Sequence, residues 1–412
     1  MQLRHIAAAL LLAFVPLAAH AQGDSAQMSR GEYLTRAADC QACHTAPGGV
    51  PFAGGRAFVL PFGVIYSPDI TPSAHGGIAG YTDDQWVRML HQGVARGGKH
   101  LYPVMPYDSY TGMSREDALA IKTYLMSLAP VPNTIPANHL HFPYNMRWTM
   151  FFWNLFNNPD QRFQPDHTQT AAYNRGAYLV EVLGHCGECH TPRNFMQARE
   201  TGKQFAGSAA EGWLAYNITP DKLTGIGSWS DADLAQYLST GTAPNHGPAS
   251  GPMAEAVQDS LRYLKPDDIQ DIVLYLRHVK PQVSGPPAVD GAHVPLAPAD
   301  TLGPRIFAQA CEGCHLTNGQ GRQSPWAALA GAETVGDPAG TNIVQILSQG
   351  SHVQTKLGLM FMHPFTGDYT DDELAAVANY TISQFGGRRG HVTPKQIQDQ
   401  RDGKPDTGKQ TS

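Results

Sequence analysis

Three short stretches of this sequence share the spacing C-x-x-C-H. They run from Cys40 to His44, from Cys186 to His190 and from Cys311 to His315. Two thiols at this spacing can bond the vinyl groups on one edge of a porphyrin, and the His that follows is held beneath the iron. We therefore predict three haem c groups. The predicted attachment residues are Cys40, Cys43, Cys186, Cys189, Cys311 and Cys314, and the predicted proximal iron ligands are His44, His190 and His315.

Two other sites use C-x-x-C pairs, and both fit this sequence less well. A thioredoxin-like redox pair does not explain the His that closes every copy. A zinc site needs four ligands close together, whereas these pairs lie 146 residues (40 to 186) and 125 residues (186 to 311) apart. The three motifs also use all six cysteines of the chain, which leaves none for a disulfide.

Length and composition indicate how many domains the chain has and whether nucleic acid is an expected partner. A chain of 412 residues has room for two or three domains, and three haem motifs favour three of about a hundred residues each. The 42 Gly and 31 Pro indicate long irregular connections between helices. A net charge of −6 gives no support for nucleic-acid binding.

The predicted fold is mainly α, with three tandem cytochrome c-type domains, the first two an evident duplication. Capping patterns that begin at Thr82, Ser114 and Thr370 predict helices in the first and third domains. The predicted division of the chain is signal peptide 1–21, domain one 27–130, aromatic-containing linker 131–170, domain two 171–280, Pro/Gly/Ala linker 281–300, domain three 301–387 and polar tail 388–412.

The duplication rests on matched segments at matched spacings. The segment from Arg30 to Leu34 matches that from Arg175 to Leu179 almost residue for residue. The separation of the motif His from a downstream Met is 61 residues in the first unit (44 to 105) and 63 in the second (190 to 253). The third unit is shorter and more diverged, so the first two should share one fold.

Electron transfer favours a six-coordinate iron with two protein ligands, and a thioether from Met raises the reduction potential relative to a second imidazole. Each unit has one Met in a predicted loop before its final helix. The predicted distal ligands are therefore Met105, Met253 and Met362, the last with Met360 as a nearby competitor. Bis-histidine ligation is the alternative. Its candidates are His100, His246, His352 and His363.

The surroundings of the motifs suggest further roles. Pro47 and Pro192 are candidates to place a carbonyl against the ring N–H of the motif His. Arg96, Lys99 and Arg193 are candidate partners of haem propionates, with solvated surface as the alternative. No catalytic residues are predicted, because no dinucleotide, nucleophile-elbow or phosphate-loop motif is present and each iron has two ligands.

The N-terminus reads as a cleaved secretory signal, with an apolar stretch from Ile6 to Ala18 followed by Ala19-His20-Ala21. A second apolar segment, from Met146 to Phe156, is too short to span a bilayer. It is interpreted either as a buried plug between domains or as a surface that contacts the membrane interface or a partner.

Taken together, these residues resemble the triheme cytochrome c subunit of membrane-bound periplasmic dehydrogenases, such as gluconate, sorbitol and alcohol dehydrogenases. The resemblance covers nearly all the mature chain. It is carried by Arg30 to Tyr33, Tyr102 to Tyr107, Met146 to Phe156, Gly184 to Arg193 and Val377 to Tyr380. Two positions depart from the family pattern. Asp69 stands where Asn is usual, and the third unit has Met362-His363-Pro364-Phe365 where the family has a Met-Pro-x-Phe loop.

The resemblance implies a non-catalytic subunit of a respiratory oxidoreductase complex that acts on CH–OH donors, on the periplasmic side of the bacterial inner membrane. A large partner subunit, sometimes with a small one, would oxidise an alcohol, sugar or sugar acid, and the cytochrome would pass the electrons to ubiquinone. Flavin is the favoured partner cofactor, ahead of pyrroloquinoline quinone or molybdenum cofactor, and peripheral membrane contact is expected. The alternatives are a self-contained multihaem enzyme of the peroxidase or thiosulfate dehydrogenase type and a soluble shuttle to a terminal oxidase.

Overall fold

The computed structural model of the chain describes residues 29–287, 294–295, 300–322, 324–355 and 358–403. The predicted signal peptide lies outside the described residues, as do 288–293 and 296–299 of the predicted linker. Helical content is 45%, which confirms the mainly α prediction. Within the described ranges, no helix combines the length and the apolar character needed to cross a membrane.

The first motif region, residues 29–130, joins helices to a small antiparallel sheet. Its helices are α1 (Arg30–Ala37), α2 (Cys40–Cys43), α3 (Asp83–Gln92), α4 (Tyr107–Tyr110) and α5 (Arg115–Ser127), and its strands are β1 (Ala57–Leu60) and β2 (Gly63–Tyr66). Thr82 closes a full capping box at α3 and Ser114 caps α5, as the sequence predicts. α1 packs against α5.

The segment between the first two motif regions adds structure to the first. β3 (His139–Leu140) pairs with β2 through Gly63 and Leu140, giving a three-stranded sheet in the order β1-β2-β3. α6 (Thr149–Asn157) follows. The predicted linker 131–170 is thus partly an extension of the first region, because its backbone completes that sheet.

The second motif region, residues 171–280, places similar elements in the same order. Its helices are α7 (Ala171–Ala177), α8 (Gly187–His190), α9 (Asp231–Thr240), α10 (Gly251–Asp259) and α11 (Pro266–His278), and its strands are β4 (Ser208–Ala210), β5 (Trp213–Ala215), β6 (Thr242–Ala243) and β7 (Gly247–Pro248). A π-helical stretch, Tyr178–Leu183, continues α7 towards the motif. α11 packs on α7 as α5 packs on α1.

The third motif region, residues 300–403, carries its own core. Its helices are α12 (Leu302–Ile306), α13 (Glu312–His315), α14 (Glu333–Gly336), α15 (Thr341–Gln349), α16 (Asp371–Phe385) and α17 (Pro394–Arg401), and its strands are β8 (Ser351–Thr355) and β9 (Gly358–Met362). A π-helical stretch, Phe307–Cys311, leads into α13. The predicted capping box at Thr370 begins α16.

Two large apolar clusters hold the chain together. One contains buried residues from both the first and second regions, among them Leu34, Leu125, Leu183 and Leu276. The other lies within the third region and includes Phe307 and Ile382. The first two regions therefore share one core, while the third has a core of its own.

The segment after residue 387 differs from the polar tail that the sequence predicts. α17 begins at a capping box on Thr393 and buries Ile397 completely against α15 and α16. Arg401 pairs with Asp371 at 2.7 Å. One buried apolar side chain in a polar helix is a weak periodic signal, so the periodicity of the sequence does not reveal this helix. Residues 404–412 lie outside the described part.

Candidate haem-binding sites

Each C-x-x-C-H motif lies on one short helical turn. Cys40 and Cys43 bound α2, and His44 is its C-cap, with its backbone N–H donating to the Cys40 carbonyl at 3.0 Å. In the second motif the N–H of His190 donates to the Cys186 carbonyl, also at 3.0 Å. Residues three apart lie on one face of a helix, so a helical turn brings the two thiols of each motif to the same side.

The motif histidines are fixed by backbone carbonyls that lie well downstream. Nδ1 of His44 is 2.8 Å from the Pro68 carbonyl, Nδ1 of His190 is 2.6 Å from that of Tyr216, and Nδ1 of His315 is 2.7 Å from that of Ala327. A carbonyl only accepts, so Nδ1 carries the proton and Nε2 keeps its lone pair. This is the orienting contact that metal-bound histidines need.

The predicted sources of these carbonyls were wrong. The contacts come from Pro68 and Tyr216, not from Pro47 and Pro192. In the first two regions, the residue after the motif His is a threonine whose hydroxyl binds a backbone N–H of the following loop. Thr45 Oγ1 accepts from the Phe52 N–H at 3.1 Å, and Thr191 Oγ1 accepts from the Phe205 N–H at 3.0 Å, which closes the loop that follows the motif.

Burial suits these side chains to haem rather than to zinc. It lowers the pKa of His44, His190 and His315, which keeps the rings neutral and able to ligate a metal. Burial also raises the pKa of Cys40 and of Cys186 to about 12, and a thiol held protonated is a poor zinc ligand. Across the described residues, no three His, Cys, Asp or Glu side chains form a group able to hold a metal ion.

A cavity of about 1200 Å³ opens at the first motif. Cys40, Cys43, His44 and Met105 all line it, so the predicted attachment thiols, the predicted proximal ligand and the predicted distal ligand face one space. Apolar side chains including Trp86, Leu90, Ile121 and Leu125 line the rest. A large, mostly apolar cavity with a few converging polar groups fits a flat apolar cofactor such as haem.

Cationic side chains stand on the wall of this cavity. Arg96, Lys99 and Arg147 all line it, which fits the two carboxylates of a haem edge. Arg147 lies over the Tyr102 ring at 4.4 Å and donates to the His100 carbonyl at 2.7 Å. Arg193 has a different role, because it pairs with Glu188 at 2.6 Å.

Met253 and Met362, the predicted distal ligands of the second and third motifs, lie in a helix and a strand and not in loops. Met253 lies in the first turn of α10 and packs against an apolar cluster that includes Val353 of the third region. Met362 ends β9 opposite Ser351, and Met360 lies two residues earlier on the same face of the strand. Both stay candidate ligands, and the competition between Met360 and Met362 stays open.

Most of the histidines that are alternative candidates for the second iron ligand contact other side chains. His246 stacks on Trp229 with ring centroids 3.6 Å apart, and His363 lies 3.3 Å from Asp368. The His100 ring meets the Phe151 ring edge-on, and within the described part of the chain His100 does not line the first cavity. His352 pairs with Phe361 across the β8–β9 hairpin.

Asp69 stands where the family pattern has Asn, and it makes one of the two hydrogen bonds that Asn217 makes at the matching position of the second region. Asp69 Oδ1 accepts from the Thr71 N–H at 2.7 Å, as Asn217 Oδ1 accepts from the Thr219 N–H at 2.9 Å. The Asn217 amide also donates to the Gln282 carbonyl at 2.6 Å. Asp69 cannot donate there, and its Oδ2 is buried with no hydrogen-bond partner among the described residues.

Sequence reasoning missed two carboxylates that link the first and second regions. Asp117 binds Arg30 of its own region and the Tyr178 hydroxyl of the other. Asp268 binds Arg175 of its own region and the Tyr33 hydroxyl of the other. The signal was available, because all these residues occupy matching positions of the proposed duplication.

Comparison with known proteins gives a consistent set of relatives. The family model described as cytochrome c oxidase, cbb3-type, subunit III matches residues 298–380. The chain is 37% identical to the fructose dehydrogenase cytochrome subunit of Gluconobacter japonicus over 403 residues, covering 91% of this chain and 83% of the relative. It is also 37% identical to the gluconate 2-dehydrogenase cytochrome c subunit of Pantoea cypripedii, covering 94% and 93%. Identity to the cytochrome c subunit of alcohol dehydrogenase (quinone) from Gluconobacter oxydans is 32%, covering 92% and 84%.

Proposed function

This chain belongs to the family of cytochrome c subunits of dehydrogenase complexes, and we propose that it carries three covalent haems and passes electrons from a dehydrogenase subunit to ubiquinone. The observation that carries the proposal is the repeated histidine geometry. In all three motifs Nδ1 is held by a backbone carbonyl at 2.6–2.8 Å, which leaves Nε2 for iron. A bound haem supplies reversible one-electron chemistry at each motif.

The protein's own residues would hold these groups and limit what they do. His44, His190 and His315 would each supply one ligand to a bound haem iron, and Met105, Met253 and Met362 would each supply a second. With two protein ligands each iron would have no position for substrate, as an electron carrier requires. Thioether ligation raises the potential of each site and so favours accepting electrons from a dehydrogenase.

We also propose that the chain comprises three cytochrome c domains and that the first two arose by duplication. Their support is the repeated order of elements and the matched contacts after each motif. Gly54 N–H donates to the His44 carbonyl, and Gly207 N–H donates to the His190 carbonyl, both at 2.8 Å. α5 on α1 and α11 on α7 give each region the same helix pair.

The partner and acceptor are proposed from the relatives. Their names point to fructose, gluconate or alcohol as substrates of the complexes they serve, so a dehydrogenase of an alcohol, sugar or sugar acid is the proposed electron donor. Flavin stays the favoured cofactor of that donor. The name of the relative from Gluconobacter oxydans, alcohol dehydrogenase (quinone), supports a quinone as the acceptor, and ubiquinone is the quinone that we propose.

We propose export through the predicted signal and attachment to the periplasmic face of the inner membrane through α6. This helix has one buried and one exposed apolar face. Trp153 is 6% exposed and packs on Tyr107, whereas Trp148, Leu155 and Phe156 are 62%, 67% and 72% exposed. The two interpretations of this segment therefore apply to opposite faces of one helix.

Two loops carry further exposed aromatic rings, one that precedes α6 in the chain and one that contacts α6 through Trp153. Phe142 and Phe195 are also exposed, and Phe195 lies next to Met196, whose carbonyl accepts from the Trp153 indole at 2.9 Å. Tyr144 stacks on Phe62 with ring centroids 4.4 Å apart. Aromatic rings are favoured at the level of lipid headgroups, and an exposed apolar patch of this kind marks a contact surface.

Haem counting and carbon monoxide binding test the electron-carrier proposal. The detergent-purified chain should contain three haems by pyridine haemochrome assay and by mass, and the reduced form should not bind carbon monoxide rapidly. Fast stoichiometric binding to one haem would instead favour a self-contained enzyme with an open iron. Purification from membranes should also recover a large dehydrogenase subunit, and the cofactor bound to that subunit can be identified directly.

A further inference from the structure

The residue directly before each motif differs in a way that bears on proton transfer. It is Asp39 in the first region, His185 in the second and Ala310 in the third. Asp39 and His185 both have left-handed backbones, with φ of 49° and 38°. Asp, Asn and His are the non-glycine residues that tolerate this conformation best. Equivalent sequence positions thus carry an acid, a base and an apolar side chain.

Asp39 faces the first haem cavity. It lines that cavity together with Cys40, Cys43 and His44. Its Oδ1 is buried and has no hydrogen-bond partner among the described residues. A buried carboxylate oxygen without a donor is costly when ionised, so this side chain is poised to hold a proton.

The charges around Asp39 favour the protonated form. Burial is the largest influence, and Asp259 and Glu255 on α10 act in the same direction. Arg56 and Arg36 oppose them, and the balance raises the pKa of Asp39 well above its usual value. Tyr110 and the thiols of Cys40, Cys43 and Cys186 also lie close enough to Asp39 to interact with it. The Tyr110 hydroxyl donates to the Ala38 carbonyl at 2.6 Å and not to Asp39, and burial raises the pKa of all three thiols, which keeps them neutral.

His185 has different surroundings. Its ring meets Tyr110 edge-on with centroids 5.5 Å apart. Burial lowers the pKa of His185 more than the nearby Glu188 raises it, and Arg199 adds to the lowering. The imidazole is therefore neutral near pH 7, and Ala310 of the third region has nothing to titrate.

We propose that Asp39 takes up one proton when the first haem gains an electron and releases it when the electron leaves. The proton comes from the periplasmic solvent, and the electron comes from the partner dehydrogenase. With haem bound, the positive charge of ferric iron would oppose the influences of burial and of the nearby acidic groups and favour the ionised carboxylate of Asp39. An electron that reduces the iron would cancel that charge and raise the affinity of the carboxylate for a proton. Uptake of one proton per electron keeps the net charge of the cavity constant. The second and third regions have no carboxyl group at this position.

This inference rests on the proposed function, since it requires haem at the first motif. The test is a spectroelectrochemical titration of the full-length, haem-loaded protein at a series of pH values. The first haem is identified by the drop of its potential in Met105→His. Its wild-type midpoint potential should fall by about 59 mV for each tenfold decrease in proton activity across the coupled range. The potentials of the other two haems should not follow pH in this way.

The decisive variant is Asp39→Asn, which keeps the shape of the side chain and tolerates the left-handed backbone. It should abolish the pH dependence of the first haem. The matched control is Asp160→Asn, because Asp160 is also left-handed, with φ of 48°, but is partly exposed and pairs with Arg162. A first-haem pH dependence that survives unchanged in Asp39→Asn would overturn the proposal.

A measurement on the wild-type protein makes the test independent of that variant's folding. Redox-triggered infrared difference spectra should show a protonated carboxyl band that appears on reduction and shifts when aspartate is isotopically labelled. Absence of such a band would also overturn the proposal. Haem content is measured first: fewer than three haems contradicts the proposed function, whereas three haems with no proton coupling contradicts only this inference.

Discussion

The hydroxyl of Tyr178 donates to Asp117 Oδ2 at 2.7 Å, across the boundary between the first two motif regions. The reverse contact is also present, because Tyr33 of the first region donates to Asp268 of the second. Each aspartate is held in addition by the arginine of its own region, Arg30 or Arg175. Two reciprocal hydrogen bonds, each from a tyrosine hydroxyl of one region to an aspartate of the other, thus join the two regions, which also share one apolar core.

Removing one of these two tyrosine hydroxyls should lower the stability of the folded protein. Hydrogen bonds to charged groups stabilise proteins by about 1.5–3 kcal/mol, so Tyr33→Phe should lower the free energy of unfolding by that amount. Tyr178→Phe should cost a similar amount, since its contact is equivalent. Denaturant unfolding of the haem-loaded protein measures both, with the exposed Tyr144→Phe as control. A loss no larger than that of the control would show that these hydrogen bonds contribute nothing to stability.

The stabilising effect of Asp268 should depend on pH. Burial by itself raises the pKa of Asp268. The hydrogen bonds from Arg175 and Tyr33 outweigh burial and hold this pKa below its usual value. A carboxyl group with a lowered folded pKa adds stability above its unfolded pKa of about 3.9, and this is lost as pH falls through the folded pKa. Asp268→Asn should therefore be less stable than wild type at neutral pH, by about 3 kcal/mol.

The gap between wild type and Asp268→Asn should narrow as the pH falls below about 4. Unfolding free energies measured along a pH series give this gap directly. The adjacent exposed Asp267 provides the control, because Asp267→Asn removes the same charge without the buried contacts. A gap for Asp268→Asn that stays constant into acid would contradict the assignment of this pair.

Local patterns in the sequence predicted the parts of the site that local geometry decides. The C-x-x-C-H spacing defines a helical turn, and the capping patterns at Thr82 and Thr370 begin helices where expected. The carbonyls that orient His44, His190 and His315 were missed because they lie 24, 26 and 12 residues downstream. Only the folded loop brings them to the ring.

The same limit explains two other differences. Met253 was expected in a loop by analogy with Met105, but Gly251 and Pro252 begin a helix there. The hydrogen bond between Tyr33 and Asp268 spans 235 residues, and no periodicity within one element reports such a contact. Comparing the two repeats with each other matches Tyr33 with Tyr178 and Asp117 with Asp268, but it does not show which tyrosine contacts which aspartate.

Gly54 should be intolerant of a side chain because it touches the loop that orients His44. It has φ of 72°, and a Cβ there would lie 2.4 Å from the Pro68 carbonyl carbon and 2.6 Å from its oxygen. That oxygen accepts from His44. Gly54→Ala should therefore disturb the haem absorption spectrum of the first site and lower its haem content, in addition to the cost of a left-handed alanine.

Gly48→Ala is the matched control for Gly54→Ala. Gly48 has φ of 69°, and nothing among the described residues lies within 4 Å of the position that a Cβ would take there. The substitution should therefore cost only the backbone term of about 1–2 kcal/mol. Haem content and thermal unfolding of the two variants separate the effects. Equal behaviour of both variants would mean that contact with Pro68 is unimportant.

The exposed face of α6 should attach the protein to lipid. Trp148→Ser with Phe152→Ser removes two exposed rings that meet edge-on, and the expected result is release into the soluble fraction with three haems retained. Phe361→Ser is the control, because Phe361 is 73% exposed but lies on β9 of the third region. Flotation with vesicles of zwitterionic lipid measures attachment. Membrane binding that persists in the double variant would refute the role of α6.

Met362 and Met360 offer a direct test of distal ligation in the third region. Both lie on one face of β9, two residues apart, and both are partly buried. Met362 packs against the core of the third region, which places it with the helices that surround the third motif. Met362→His should therefore remove the thioether-to-iron absorption band of one ferric haem and lower that haem's potential, since imidazole favours the ferric state relative to thioether. Met360→Leu should leave both the band and the potential unchanged. Near-infrared and redox titrations of the two variants decide the ligand, and the opposite pattern would assign Met360 in place of Met362.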